Sequence, residues 1–233
     1  SKKKVFKKKE TKINKIIIDF SKDKKEFFNF LNIYEILNKI NISVPKIYEI
    51  HNKKKIIVME DFGNLRFDKI LHVEELYNLL KLAVDNLIII QNSLLHSDLI
   101  KLKKYSYLDL KKEISEFIYY YIPYKNILNF PVENFYTTWK SIYDRQNFNF
   151  ENFVHKDYEF INLLLLKENK SHLKCGIIDF QSAFLGFIGW DLFSILENPR
   201  INFTRKYNEE IMLYYFKNIS TKLKFDEFRE HYY

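Results

Sequence analysis

Apolar residues in the first sixty positions alternate with polar ones, then switch to helical spacing, then alternate again. Lys4 to Lys8 and Lys15 to Phe20 carry β-branched and aromatic residues on either side of a turn-like Lys9 to Asn14, which predicts a hairpin. From Asp23 to Lys39 the residues Phe27, Phe30, Leu31, Tyr34, Ile36 and Leu37 recur at helical spacing behind a Ser21 or Asp23 cap. Ser43-Val44-Pro45 ends that helix, and Lys46 to Ile50 and Lys55 to Glu60 read as two more strands. From Leu65 onward the period is helical, with predicted helices over His72 to Leu95, Leu108 to Tyr121 (ended by Pro123) and Val132 to Arg145. Further helices are predicted from Trp190, over Arg205 to Phe216 and over Phe225 to Tyr233. Strands first and helices after predict an α+β chain, with a small sheet lobe over residues 1–62 and a helical lobe over 63–233.

Residues 153–193 break this pattern with polar residues set at the edges of very apolar runs. Asp157 follows F-V-H-K, Asn162 precedes L-L-L-L, and Asp179 closes C-G-I-I, with a short polar interruption at Lys167 to Ser171 between the runs. A carboxylate beside such runs is costly unless it serves a cation, a donor or a metal. An Asp, an Asn five residues later ahead of one strand, and a second Asp closing the next strand is the phosphoryl-transfer layout of kinases. In it Asp157 orients the acceptor hydroxyl and takes its proton, while Asn162 and Asp179 hold Mg²⁺ against the ATP phosphates through hard oxygen ligands. His96-Ser97-Asp98 has the same H-x-D form, but the fifth residue after Asp98 is Lys103, a non-ligand, so it reads as a polar cluster at a helix end.

The wording H-K-D-Y-x-x-x-N-L-L, followed by G-I-I-D-F-Q-x-A-x-x-G-x-x-x-W-D-L-x-S-I-L-E, resembles the aminoglycoside-phosphotransferase superfamily, small-molecule relatives of protein kinases. Within it, D-F-Q and the trailing D-L-x-S-I-L-E most resemble the branch of N-acetylmuramate and N-acetylglucosamine anomeric sugar kinases. The resemblance implies a two-lobed protein-kinase-like fold and ATP-dependent, Mg²⁺-assisted transfer to a hydroxyl of a small molecule, an amino sugar in that branch. It assigns His155 and Asp191 to structural support of the site, with Asp191 accepting hydrogen bonds from the catalytic-loop backbone. Val58-Met59-Glu60-Asp61-Phe62-Gly63 takes the place of the hinge, where main-chain groups of Glu60 and Phe62 meet the adenine edge and Met59 lies behind the base.

Two departures from the kinase pattern stand out. The strand I-I-I-D puts Asp19 where protein kinases carry a phosphate-binding Lys, so another cation is required, for which Lys3, Lys4 and Lys7 are candidates. The helix residue that would hold that Lys falls near Asn32, with Glu26 and Glu35 as alternatives. The glycines, Gly63, Gly176, Gly186 and Gly189, form no glycine-rich phosphate loop. Ser1 and the following K-K-K-V-F-K resemble the stretch just after that loop in the sugar-kinase branch, and the superfamily continues with more C-terminal helix. A chain truncated at both ends, lacking the first strand and phosphate loop, is therefore expected, with a Ser1 exposed by Met removal as the alternative.

Composition adds limits. A hydrophobic content of 47% predicts a folded globule. No apolar run reaches the ~20 residues of a membrane helix. The single Cys175 excludes an internal disulfide, and the charged N-terminus lacks a signal-peptide core, both favouring the cytoplasm. The net charge of +8 is spread through the whole chain, which argues against nucleic acid as the partner. No A-P-E-like segment follows Asp179, which argues against a protein substrate. A degenerate, nucleotide-binding but non-catalytic protein is the alternative that Asp19 favours; a basic nucleic-acid binder rests on charge alone.

Overall fold

The computed structural model describes residues 3–8, 14–71, 73–145, 150–167, 170, 173–201 and 203–233. Residues 9–13 of the expected turn, His72 at the expected start of the long helix, and residues 168, 169 and 171 of the polar interruption lie outside them.

Strands β1 (Lys4–Lys8) and β2 (Lys15–Asp19) pair antiparallel, with Lys4 opposite Asp19 and Lys8 opposite Lys15. The other edge of β2 takes β4 (Ile56–Glu60), which in turn takes β3 (Ile47–His51), giving the antiparallel order β1-β2-β4-β3. Helix α1 (Lys24–Leu37) begins where the Asp23 carboxylate accepts the Glu26 N–H at 2.9 Å. Its buried Phe27, Phe30, Ile33, Ile36 and Leu37 join Ile18, Ile57 and Met59 of the sheet in one core. Successive strand residues point to opposite faces, so Ile16, Ile18, Ile57 and Met59 share one side of the sheet. Asp19, Ile17, Ile56 and Val58 share the other.

Helix α2 (Val73–Ser93) is the axis of the helical half, burying Leu79, Leu80, Ala83, Val84, Leu87 and Ile90. It also fixes the segments that follow. The Tyr158 hydroxyl donates to the Ala83 carbonyl at 2.9 Å, Asn86 Nδ2 to the Cys175 carbonyl at 2.8 Å, and Gln91 Nε2 to the Phe153 carbonyl at 2.8 Å. These bonds satisfy groups that would cost about 1–3 kcal/mol each if buried unpaired. The segments belong to two short hairpins, β5 (Asn152–Val154) with β8 (Phe184–Gly186), and β6 (Leu163–Leu165) with β7 (Cys175–Ile177). Cys175 is fully buried in β7, which raises its thiol pKa.

Between them run α3 (His96–Leu99), α4 (Tyr107–Glu116), α5 (Ile122–Tyr124) and α6 (Val132–Arg145). The single helix expected over 108–121 widens into a π-helical turn at Phe117–Tyr121 and runs on to Tyr124, stopping just past Pro123. Helices α7 (Trp190–Leu196), α8 (Arg205–Asn218) and α9 (Phe225–Tyr232) complete the α+β chain. Among the described residues no helix is long and apolar enough to cross a membrane.

Candidate active site

The loop after β5 is built around a buried carboxylate. Asp191, in the first turn of α7 and 3% exposed, accepts the His155 N–H at 2.7 Å and the Lys156 N–H at 3.1 Å. Lys156 has a left-handed backbone, φ 83°, which costs a residue with a Cβ about 1–2 kcal/mol and is held by this clamp. Burial lifts the Asp191 carboxyl to about 7, with the two N–H donors pulling the other way. The His155 ring is fully buried and its Nε2 lies 3.1 Å from the Ile178 carbonyl, so the neutral ring donates there and ties this loop to the residue before Asp179.

Burial lowers the His155 pKa to about 4, against the Ile178 carbonyl and Asp179, which favour the charged ring. The unfolded chain therefore binds a proton below pH ~6.5 that the folded chain refuses until about 4. Stability from this residue is complete above ~6.5 and is lost as pH falls toward 4, by about 1.4 kcal/mol per unit. In urea unfolding, the wild type is expected to lose about 2 kcal/mol more than His155→Asn between pH 7 and 5. Equal losses in the two proteins would rule out a buried neutral ring.

Asp157, Asn162 and Asp179 come together across this loop. Asn162 Nδ2 donates to the Asp157 carbonyl at 2.8 Å, and the Asn162 carbonyl accepts the Ile178 N–H at 3.1 Å. Asp179 takes a left-handed backbone, φ 65°, which Asp tolerates better than most residues. That turn sends Phe180 into the core, where it stacks on Phe30 of α1 with centroids 4.8 Å apart. Gln181 Nε2 donates to Asp179 Oδ1 at 3.0 Å, and the Lys3 ammonium pairs with the same carboxylate. Burial pushes the Asp179 carboxyl up, but Lys3 and Gln181 outweigh it and hold it below the usual range. Asp157 goes the other way: burial, opposed by Lys156 and reinforced by Asp179, raises it above an ordinary carboxylate.

The donor chemistry fits a hard divalent cation. Asn162 is anchored through its nitrogen, leaving its amide oxygen as a ligand, and Asp179 is kept ionised beside it. Among the described residues no group of three or more His, Cys, Asp or Glu forms a cage, so phosphates and water would complete the shell.

At the end of β4, Met59 is 5% exposed, and Glu60 exchanges hydrogen bonds with the Lys46 backbone at 2.8 and 3.1 Å. Phe62 follows, with its ring over Gly176 of β7; a Cβ on Gly176 would come within 2.7 Å of that ring. The Asp61 carboxylate accepts the Gly63 N–H at 2.9 Å and meets Lys7 Nζ at 2.6 Å. The Phe62 N–H has no protein partner among the described residues, and so remains available to a ligand edge.

Asp19 corrects the sequence reading. It lies on the sheet face opposite Ile18, and its carboxylate caps the next turn by accepting the Ser21 N–H at 2.8 Å. The error is one of strand parity: Ile18, not Asp19, is on the Met59 side. Asn32 turns to the Lys101 carbonyl at 3.4 Å, and Glu35 is exposed. Asp98 sits apart, paired with Lys39 at 2.6 Å. A network that the sequence did not announce joins the Tyr105 hydroxyl to Glu113 Oε2 at 2.8 Å and Lys156 Nζ to Glu113 Oε1 at 2.7 Å.

A sequence profile matches residues 90–226, more than half of the chain, and its description is the ecdysteroid kinase-like family. The chain belongs to the ecdysteroid kinase-like family. A search of curated proteins returned no match. Among solved structures, this family member is similar to an aminoglycoside-3'-phosphotransferase of type VIII, at TM-score 0.70 and 11% identity, over 98% of this chain and 88% of that one. The choline kinase LicA from Streptococcus pneumoniae superposes at TM-score 0.62 and 14% identity, over 97% and 76% of the two chains. ADP-bound APH(2'')-Ib superposes at 0.59 and 14% identity, over 92% and 77%. At these identities the likeness shows the fold, that of kinase-like phosphotransferases.

Proposed function

We propose that this ecdysteroid kinase-like protein transfers the γ-phosphoryl group of ATP to a hydroxyl of a small molecule. One observation carries the reading: Asn162 bridges the Asp157 carbonyl and the strand end before Asp179, so a proton acceptor and two oxygen ligands share one corner of the molecule. Asp157, with its raised pKa, orients the hydroxyl and takes its proton as the bond to phosphorus forms. Asn162 and Asp179 hold Mg²⁺, which when bound neutralises charge on the phosphates. The backbone of Glu60 and Phe62 takes the adenine edge, with Met59 behind it. Most of the catalysis is positioning and charge neutralisation.

The motif wording supports an amino sugar as acceptor. A hollow of about 410 Å³ between α4, α6, α7 and α9 is lined by Trp139, Tyr143 and Trp190 with Glu230 and His231 among its walls, a mixture that suits a ring with one apolar face and a polar edge. Tyr105 in its wall bonds Glu113, which pairs with Lys156, the neighbour of Asp157 in the chain. The remaining apolar walls, Leu110, Ile142, Phe150, Phe187 and Phe193, favour a second reading, a less polar ring alcohol. Calorimetry with Mg-ATP and mass-spectrometric screening of ATP-dependent phosphorylation across amino sugars, aminoglycosides, choline-like alcohols and apolar ring alcohols tests both. Binding of ATP with gain of one phosphoryl group by one class is expected; a protein that binds no ATP and modifies nothing refutes the proposal.

A further inference from the structure

The nucleotide corner needs a cation for the phosphates, and β2 does not supply it. Its residues on the Met59 side are Ile16 and Ile18, and Asp19 points the other way. Across the ladder, Val5 faces Ile18 and Lys7 faces Ile16, so Val5 and Lys7 share the side occupied by Met59, and Lys3, just ahead of the strand, reaches Asp179. Both lysines carry ion pairs at functional positions: Lys7 with Asp61 just past Met59 and Glu60, Lys3 with Asp179. Four residues of chain separate them, up to about 13 Å if extended. A nucleotide running from Glu60 and Phe62 to Asp179 lies along this face.

The Lys3 side chain is 12% exposed, unlike a surface ion pair that trades one water contact for another. We propose that Lys3 is the phosphate-binding cation of the nucleotide site, supplied by the strand before the one that carries it in protein kinases. With a divalent cation held by Asp179, repulsion between the two positive charges would free the Lys3 ammonium from the carboxylate to bind phosphate. Without one, the same ammonium keeps the half-buried Asp179 ionised. This inference rests on the proposed phosphoryl transfer.

Calorimetry on the full chain with Mg-ATP and with adenosine tests it, using Lys3→Met, Lys3→Arg and Lys4→Met, the last on the opposite strand face. Lys3→Met is expected to weaken Mg-ATP by at least about tenfold and leave adenosine within twofold; Lys3→Arg should recover most of the loss and Lys4→Met should match the wild type. If Lys3→Met binds Mg-ATP like the wild type, or loses adenosine to the same extent, Lys3 is not a phosphate ligand, although the phosphotransferase reading survives. If the wild type binds neither ligand, both fall.

Discussion

Asp157→Asn is expected to lower turnover by roughly 10²–10⁴-fold while Mg-ATP affinity stays within twofold. The main chain of Asp157 is pinned by Asn162 Nδ2, so the amide replacement keeps the loop in place and removes only the carboxylate's ability to accept a proton. A loose transition state asks less of a base, yet Asn still presents an NH₂ where an acceptor is needed, so at least a tenfold loss is expected even then. The wild-type turnover number should fall as pH drops through the Asp157 pKa, above the ordinary carboxylate value, because burial and Asp179 favour the protonated form. That acidic limb should vanish from whatever activity the variant retains. A variant with the wild-type rate would reduce H-K-D-Y to a structural loop.

Asp179→Asn is the second large effect. Asn tolerates the left-handed backbone at this position, which Ala does not, so the fold should be kept, with thermal unfolding lowered because the Lys3 ammonium, 12% exposed, loses its carboxylate. What is lost is the charge that would face a divalent cation. Mg-dependent ATP affinity is expected to fall about a hundredfold, some 2.8 kcal/mol, while metal-free ATP binds no more weakly than to the wild type, since the change removes a repelling charge and releases Lys3. Equal Mg-ATP affinity in the two proteins would remove Asp179 from the metal site.

The parts of this architecture that repeat were readable from one sequence. The spacing of Phe27, Phe30 and Leu37 placed α1 within two residues of its ends, and that of Phe135, Trp139 and Ile142 placed α6 at its observed bounds. What failed was parity and partnership. A run such as Ile16-Ile17-Ile18 carries no alternation, so nothing local says which side faces α1, and Asp19 was assigned to the wrong face. Pairing with β4 decides it, and pairing is a long-range fact. The Lys156–Glu113 pair is hidden for the same reason, as its partners lie 43 residues apart in a chain crowded with both charges. Asp157, Asn162 and Asp179 stood out because their unlike chemistry interrupts apolar runs.

Cys175 gives the molecule a built-in clock. It is the single thiol of the chain, has no exposed surface, and sits in β7 beneath the Phe62 ring that rests on neighbouring Gly176. An alkylating reagent can reach it only when that hairpin parts from α2, so the labelling rate counts openings of the floor under Phe62. A ligand seated along that floor must slow the count in proportion to its occupancy, which makes an unmodified wild-type chain its own reporter for any compound in a screen.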